Sequence, residues 1–117
     1  APLREYTDPA YRPLCATLSE VRANIDRLDD EIVRLMAERA MYVKDAARFK
    51  RDAFQVSAPA RQAEVFEKVR RLAERHDRGF ENLDQVVDAA YRAMVAAFIA
   101  NEQTYFNTMR IVGDKHA

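Results

Sequence analysis

The sequence predicts an all-α fold: three helices per chain, one of them very long, assembling as an intertwined helical homodimer. Three observations carry this. Apolar residues recur in steps of three and four from Leu18 to Phe49 with no Pro or Gly between them, the signature of one long amphipathic helix. Two shorter periodic stretches follow, each bounded by helix start and stop signals. Finally, 117 residues contain only two Gly and four Pro, and the rest is rich in Ala, Leu, Arg, Glu and Asp, which favour or tolerate helix.

Taken in order, residues 1–16 read as an irregular arm holding three of the four prolines. Thr17-Leu18-Ser19-Glu20 forms a capping box, in which hydroxyl and carboxylate satisfy free backbone N–H groups at a helix start. Leu18, Val21, Ile25, Leu28, Ile32 and Leu35, then Tyr42, Ala46 and Phe49, define helix one, expected to end near Lys50 or Arg51. A helix of more than thirty residues spans roughly 50 Å and cannot bury its seam within one chain of this size. A second copy is the simplest source of partner helices. Residues 52–58 show no periodicity. Ser57-Ala58-Pro59 opens helix two, with proline tolerated in the first turn, and Val65, Val69 and Leu72 form its stripe. Gly79 stops it. Asn82, with Gln85 three residues on, caps helix three. Val86, Ala90, Met94, Ala97, Phe98 and Phe106 carry that helix to about Arg110. The helical domain is thus residues 17–110, followed by a tail, 111–117.

Composition excludes several classes. Lys plus Arg is 19 and Asp plus Glu is 19, so no net field draws nucleic acid or an anionic membrane. No apolar run approaches the ~18 residues of a membrane span. The single cysteine, Cys15, is too little for a disulfide or a metal cluster and reads as an inert thiol. His76 and His116 read as exposed bystanders, and Tyr105 and Phe106 as core or dimer contacts. Glu38, Asp26 and Asp29 read as members of surface ion pairs. No catalytic triad and no metal-ligand cluster is present, so neither metal nor cofactor is expected. No h-region precedes the fold; a cytoplasmic location is expected, with export after leader removal as the alternative.

One residue breaks the pattern. Position 39 belongs to the seam class of Leu18, Ile25, Ile32 and Ala46, yet it is Arg39. A guanidinium on a packing seam is costly unless an anion meets it. An acidic side chain of the same protein is one candidate, a ligand the other. Arg22 and Lys50 share a heptad position beside the seam, about 42 Å apart on one helix. Antiparallel packing of two copies would bring Arg22 of one chain towards Arg39 and Lys50 of the other. Converging cations suit a compact dianion, and arginine's planar fork matches a carboxylate bidentately.

Val21-Arg22-Ala23-Asn24-Ile25-Asp26-Arg27-Leu28-Asp29 resembles the opening of the helical chorismate mutases, an Arg followed by Ile-Asp-x-Leu/Ile-Asp. Leu35-Met36-Ala37-Glu38-Arg39 is similar to the family's next conserved segment. Tyr42 to Lys50, Tyr-Val-Lys-Asp-Ala-Ala-Arg-Phe-Lys, is similar to the isochorismate-pyruvate lyase branch in particular. So is Ala58-Pro59-Ala60-Arg61, which resembles that branch's Ala-Pro-Glu-Arg. The resemblance covers about residues 18–106.

The resemblance implies roles. Arg39 would hold one substrate carboxylate, and Arg22 from the partner chain the other. Lys50 would face the enol-ether oxygen and a carboxylate, Arg61 would add charge from helix two, and Gln62 would border the substrate. Aligning Phe98-Ile99-Ala100 with the family's Tyr-Ile-Ala puts Glu102 where a Gln usually donates to the ether oxygen, with Gln103 the alternative one residue on. A carboxylate there must be protonated to donate, so turnover should fall as pH rises and Glu102→Gln should flatten the profile. The mutases also place Asp and Glu in helix two, where this chain has Ala58 and Gln62, as the lyase branch lacks them too. The implied activity is the rearrangement of chorismate to prephenate. The alternatives are isochorismate cleavage to salicylate and pyruvate, action on an aminated chorismate analogue, or a non-catalytic helical dimer that binds a partner or an anionic metabolite.

Overall fold

The computed structural model describes residues 3–113. Among them there are helices and no strands: α1 (Leu18–Ala46), α2 (Ala53–Ser57), α3 (Pro59–His76) and α4 (Leu83–Phe106), with one 3-10 turn, Ala47–Phe49. The protein divides into two compact units after Glu38.

The first unit holds the N-terminal arm and most of α1. Asp8 accepts the Ala10 N–H in a tight turn, and the Tyr6 and Tyr11 rings lie 4.6 Å apart. Thr17 starts α1 by accepting the Glu20 N–H at 3.1 Å. The Glu20 carboxylate completes the cap one residue earlier than the capping box predicts, on the Ala16 N–H. Cys15 is half-buried and receives a weak bond from the Asn24 amide at 3.7 Å. No residue of α1 is buried; the seam residues Ile25, Ile32 and Leu35 remain about half exposed in the single chain (51%, 54% and 51%).

The second unit begins at Arg39. α1 ends at Ala46, earlier than its periodicity suggests, because the chain tightens into a 3-10 turn over the fully buried Ala47. Lys50 then leaves helical geometry altogether, with extended backbone (φ −93°, ψ 148°). The aperiodic stretch after it contains α2, which five residues are too few to announce by periodicity. Asp52 caps it through the Gln55 N–H, and the fully buried Val56 anchors it, worth about 1.5–3 kcal/mol.

Pro59 opens α3 as expected for a first-turn proline. Ahead of it Ala58 takes the left-handed conformation, φ 46°. α3 ends at His76, and Gly79 (φ 105°) makes the turn towards α4. Asn82 sits at the start of α4, yet its side chain caps nothing; it adopts left-handed backbone (φ 60°) and only its carbonyl joins the helix, from the Gln85 and Val86 N–H groups. α4 stops at Phe106 rather than Arg110, where the Thr108 hydroxyl takes the Tyr105 carbonyl.

The core forms where α3 packs on α4: Val65, Phe66, Val69 and Ala73 with Val95, joined by Ala47 and Val56. Two members differ from the sequence expectation. Phe66 and Val95 are buried, while Leu72 stays about one third exposed (36%) and Val86 about half exposed (54%). α4 is apolar on more than one face, so its periodicity does not single out one register. Asp88 joins the two helices, pairing with Arg92 at 2.8 Å and Arg70 at 3.4 Å, while the Arg92 guanidinium covers the Phe66 ring at 4.4 Å. No helix among the described residues is long and apolar enough to cross a membrane. His76 is exposed; His116 lies outside the described residues.

Candidate functional site

The second unit contains a cavity of about 300 Å³ whose lining includes Arg39, Lys50, Arg61, Gln62 and Glu102. Each comes from a different local structure. Arg39 stands on the last turns of α1, and Lys50 on the extended link after the 3-10 turn. Arg61 and Gln62 lie in the first turn of α3, and Glu102 lies near the end of α4. Val56, Val65, Val95, Phe98 and Ile99 supply apolar wall. Arg22, on α1 in the first unit, is exposed and does not line it.

Glu102 is the one buried charged residue among the described residues, with 3% of its surface exposed. Its Oε2 accepts from the Lys50 ammonium at 3.2 Å. That pairing needs Lys50 out of the helix: as a continuation of α1 it would follow the helix's rotation, whereas the extended backbone turns it to α4. The ammonium keeps two further N–H donors for a ligand.

Arg39 has no carboxylate within ion-pairing distance among the described residues. Its guanidinium lies 5.3 Å from the Phe98 ring centroid and 6.0 Å from that of Tyr91, contacts that orient a cation without neutralising it. Arg61 pairs with Glu64 at 3.4 Å, but both side chains are more than 60% exposed, so the pair is weak and leaves the guanidinium available. The lining therefore holds three cations against one carboxylate. That imbalance, set in apolar wall, favours a small anion with more than one negative group.

Gln62 is part-buried, and its amide donates to the Ser57 carbonyl at 2.6 Å. Gln103 does not line the cavity; its amide donates to the Ala53 carbonyl at 2.9 Å. One residue of offset on α4 turns the side chain by about 100°, so Glu102 faces the cavity and Gln103 faces α2. Tyr105 stands in the last turn of α4, and its phenol is held above the ordinary tyrosine range, first by burial and then by the Glu102 charge. Two contributors escape sequence reasoning: the Phe98 and Tyr91 rings under Arg39. Both lie on α4 in step with Glu102, a signal visible only once its register is known.

Comparison with known proteins bears on this site. The chain is 36% identical over 87 residues to the bifunctional chorismate mutase/prephenate dehydratase of Aquifex aeolicus, covering 74% of this chain and 24% of that protein. It is 32% identical over 97 residues to the isochorismate pyruvate lyase of Pseudomonas aeruginosa, covering 82% of this chain and 91% of the lyase. It is 33% identical over 61 residues to the chorismate mutase of Methanocaldococcus jannaschii, covering 51% of this chain and 62% of that enzyme. The match to a family profile, chorismate mutase type II, runs over residues 21–103 and so takes in Arg22, Arg39, Lys50, Arg61 and Glu102. With an all-helical fold and a cation-lined cavity inside the matched span, the chain belongs to the chorismate mutase type II family.

Proposed function

We propose that the protein is a chorismate mutase, rearranging chorismate to prephenate in the cavity between Arg39, Lys50 and Glu102. The observation that carries the reading is the surplus of cations in a small, mostly apolar cavity, with Lys50 paired to a buried Glu102. The rearrangement is unimolecular and needs no nucleophile. It needs the substrate's folded conformer held in place and charge growing on the breaking ether oxygen stabilised. Arg39 takes one carboxylate through its planar fork. Lys50, oriented by Glu102, donates to the ether oxygen and a carboxylate. Arg61 adds positive charge from α3. Glu102, on α4, holds the Lys50 ammonium at that oxygen.

Arg22 from a second copy completes the clamp in this reading, and the working protein is a homodimer with sites shared between chains. The half-exposed seam of α1 supports it, since a single chain leaves that apolar surface in water.

The second reading, isochorismate cleavage to salicylate and pyruvate, is favoured by a specific observation. Of the three relatives compared, the Pseudomonas lyase is matched over nearly its whole length, and like that branch this chain carries no Asp or Glu at positions 58 and 62. Both reactions use the same anion clamp. Chorismate consumption followed by absorbance, and salicylate release from isochorismate followed by fluorescence, decide between them. Conversion of chorismate to prephenate establishes the mutase. Salicylate from isochorismate with chorismate untouched replaces it with the lyase, and turnover of neither leaves a binding protein.

A further inference from the structure

α2 bears on where the Lys50 ammonium sits, because it starts three residues after Lys50 and carries Val56 and Ser57 into the same cavity lining. Five residues do not sustain a helix by themselves, since nucleation costs more than one turn of hydrogen bonds returns. Besides the buried Val56 and the Asp52 cap, two glutamine amides grip its backbone, one from each long helix beside it. Gln103 of α4 donates to the Ala53 carbonyl at 2.9 Å, at the start of α2. Gln62 of α3 donates to the Ser57 carbonyl at 2.6 Å, at its end. The Ser57 carbonyl belongs to the last turn, where the helix itself offers no N–H. Both acceptors are carbonyls, so each glutamine must present its NH₂ and not its oxygen. Immediately after Ser57 the chain passes through left-handed Ala58, a conformation a side-chain-bearing residue keeps only under restraint.

We propose that Gln62 and Gln103 are positioning residues, a pair of amide clasps that pin α2 at both ends and hold Lys50 in register with Glu102 for turnover. Neither needs to touch the substrate. The kinetic part rests on the cavity being the site of chorismate-type chemistry; the clasping does not. This gives Gln62 a different role from that of a substrate ligand, and it explains why the glutamine beside Glu102 turns away from the cavity.

The test uses Gln62→Met, which keeps the length of the side chain and removes the donor without adding charge to the cavity, Gln103→Glu, which replaces the donor with an acceptor, and Gln103→Lys, which restores a donor of similar reach. Backbone amide exchange of the full chain is measured without substrate. Turnover is measured on chorismate or isochorismate, whichever the parent converts. Gln62→Met and Gln103→Glu should each speed exchange across residues 51–58 roughly tenfold, as loss of one hydrogen bond allows. Exchange in the α3 and α4 cores should stay unchanged. kcat should fall by a similar factor with KM moved less, and Gln103→Lys should recover both readouts. Exchange that is unchanged, or that rises uniformly through α3 and α4, overturns the proposal. So does a loosened α2 with full kcat. A parent that converts neither substrate removes the functional reading, while the exchange data still decide whether the clasps hold α2.

Discussion

Lys50 and Glu102 are 52 positions apart in sequence, and the lysine ammonium meets the Glu102 carboxylate at 3.2 Å. The carboxylate side is the deeper one, with its side chain 4% exposed against 22% for the lysine. Removing the lysine would leave a buried charge with no partner, whereas neutralising the glutamate leaves a cation that water still reaches.

The two partners therefore differ in what their loss does. Lys50→Ala should lower turnover at least ~100-fold, as for loss of one transition-state donor. It should also destabilise the fold by about 3 kcal/mol through the unpaired carboxylate. Adding Glu102→Gln to Lys50→Ala should restore most of the stability and none of the turnover. Urea unfolding of the single and double variants checks this; equal midpoints for Lys50→Ala and parent would show that the pair carries no stability.

Glu102→Gln alone should preserve or raise turnover near pH 8. An amide donates to the ether oxygen at any pH and still offers an oxygen to Lys50, while an ionised carboxylate repels the developing charge. Steady-state kinetics decide it: a loss beyond about tenfold, the size of a weak general-acid effect or larger, would mean that the negative charge itself is required.

Arg39 is a cation resting on the Phe98 and Tyr91 rings, with no acid to lose among the described residues. Arg39→Ala should abolish turnover yet shift stability by only about 1 kcal/mol, the scale of its ring contacts. Arg39→Lys should recover little, because a point charge does not replace the planar fork. Unfolding of Arg39→Ala, with no effect of substrate on its stability, would instead mark the residue as structural.

The exposed seam of α1 predicts a dimer with little folded monomer at micromolar concentration. Sedimentation should give twice the chain mass, and Ile32→Asp, on that seam, should shift the distribution towards unfolded or dissociated chain. A well-folded monomer of the parent would exclude the shared-site arrangement.

Tyr105 makes stability sensitive to alkali. Burial and the Glu102 charge hold its phenol above the ordinary value, so the native state keeps a proton that the unfolded chain releases near pH 10. The sign follows: the tyrosine's contribution is complete below that pH and is lost as pH rises towards the native value. Tyr105→Phe should flatten the loss of stability between about pH 9.5 and 11, the range in which tyrosine ionises. Identical slopes for variant and parent, measured by denaturant midpoints, would count against it.

The helical class, the start of α1 at Thr17, the opening of α3 at Pro59 and the cations on offer are all legible in the amino-acid order. Each of these rests on local chemistry: a hydroxyl cap, a proline that lacks an N–H, a charge out of place in an apolar rhythm. It did not determine that α1 gives way to a 3-10 turn at Ala47, that residues 53–57 form a helix, or that Asn82 caps with its backbone alone. The first two come from burial of Ala47 and Val56 against other elements, which leaves no periodic mark over three to five residues; the third follows from the left-handed backbone at Asn82. The pairing of Lys50 with Glu102 was decided by tertiary structure alone, because it needs the break in helix geometry at Lys50 and the register of α4 together. The choice between Glu102 and Gln103 was decided the same way: packing of Val95 and Phe98 sets the rotation of α4, and a 100° step then separates a residue facing the cavity from one facing α2.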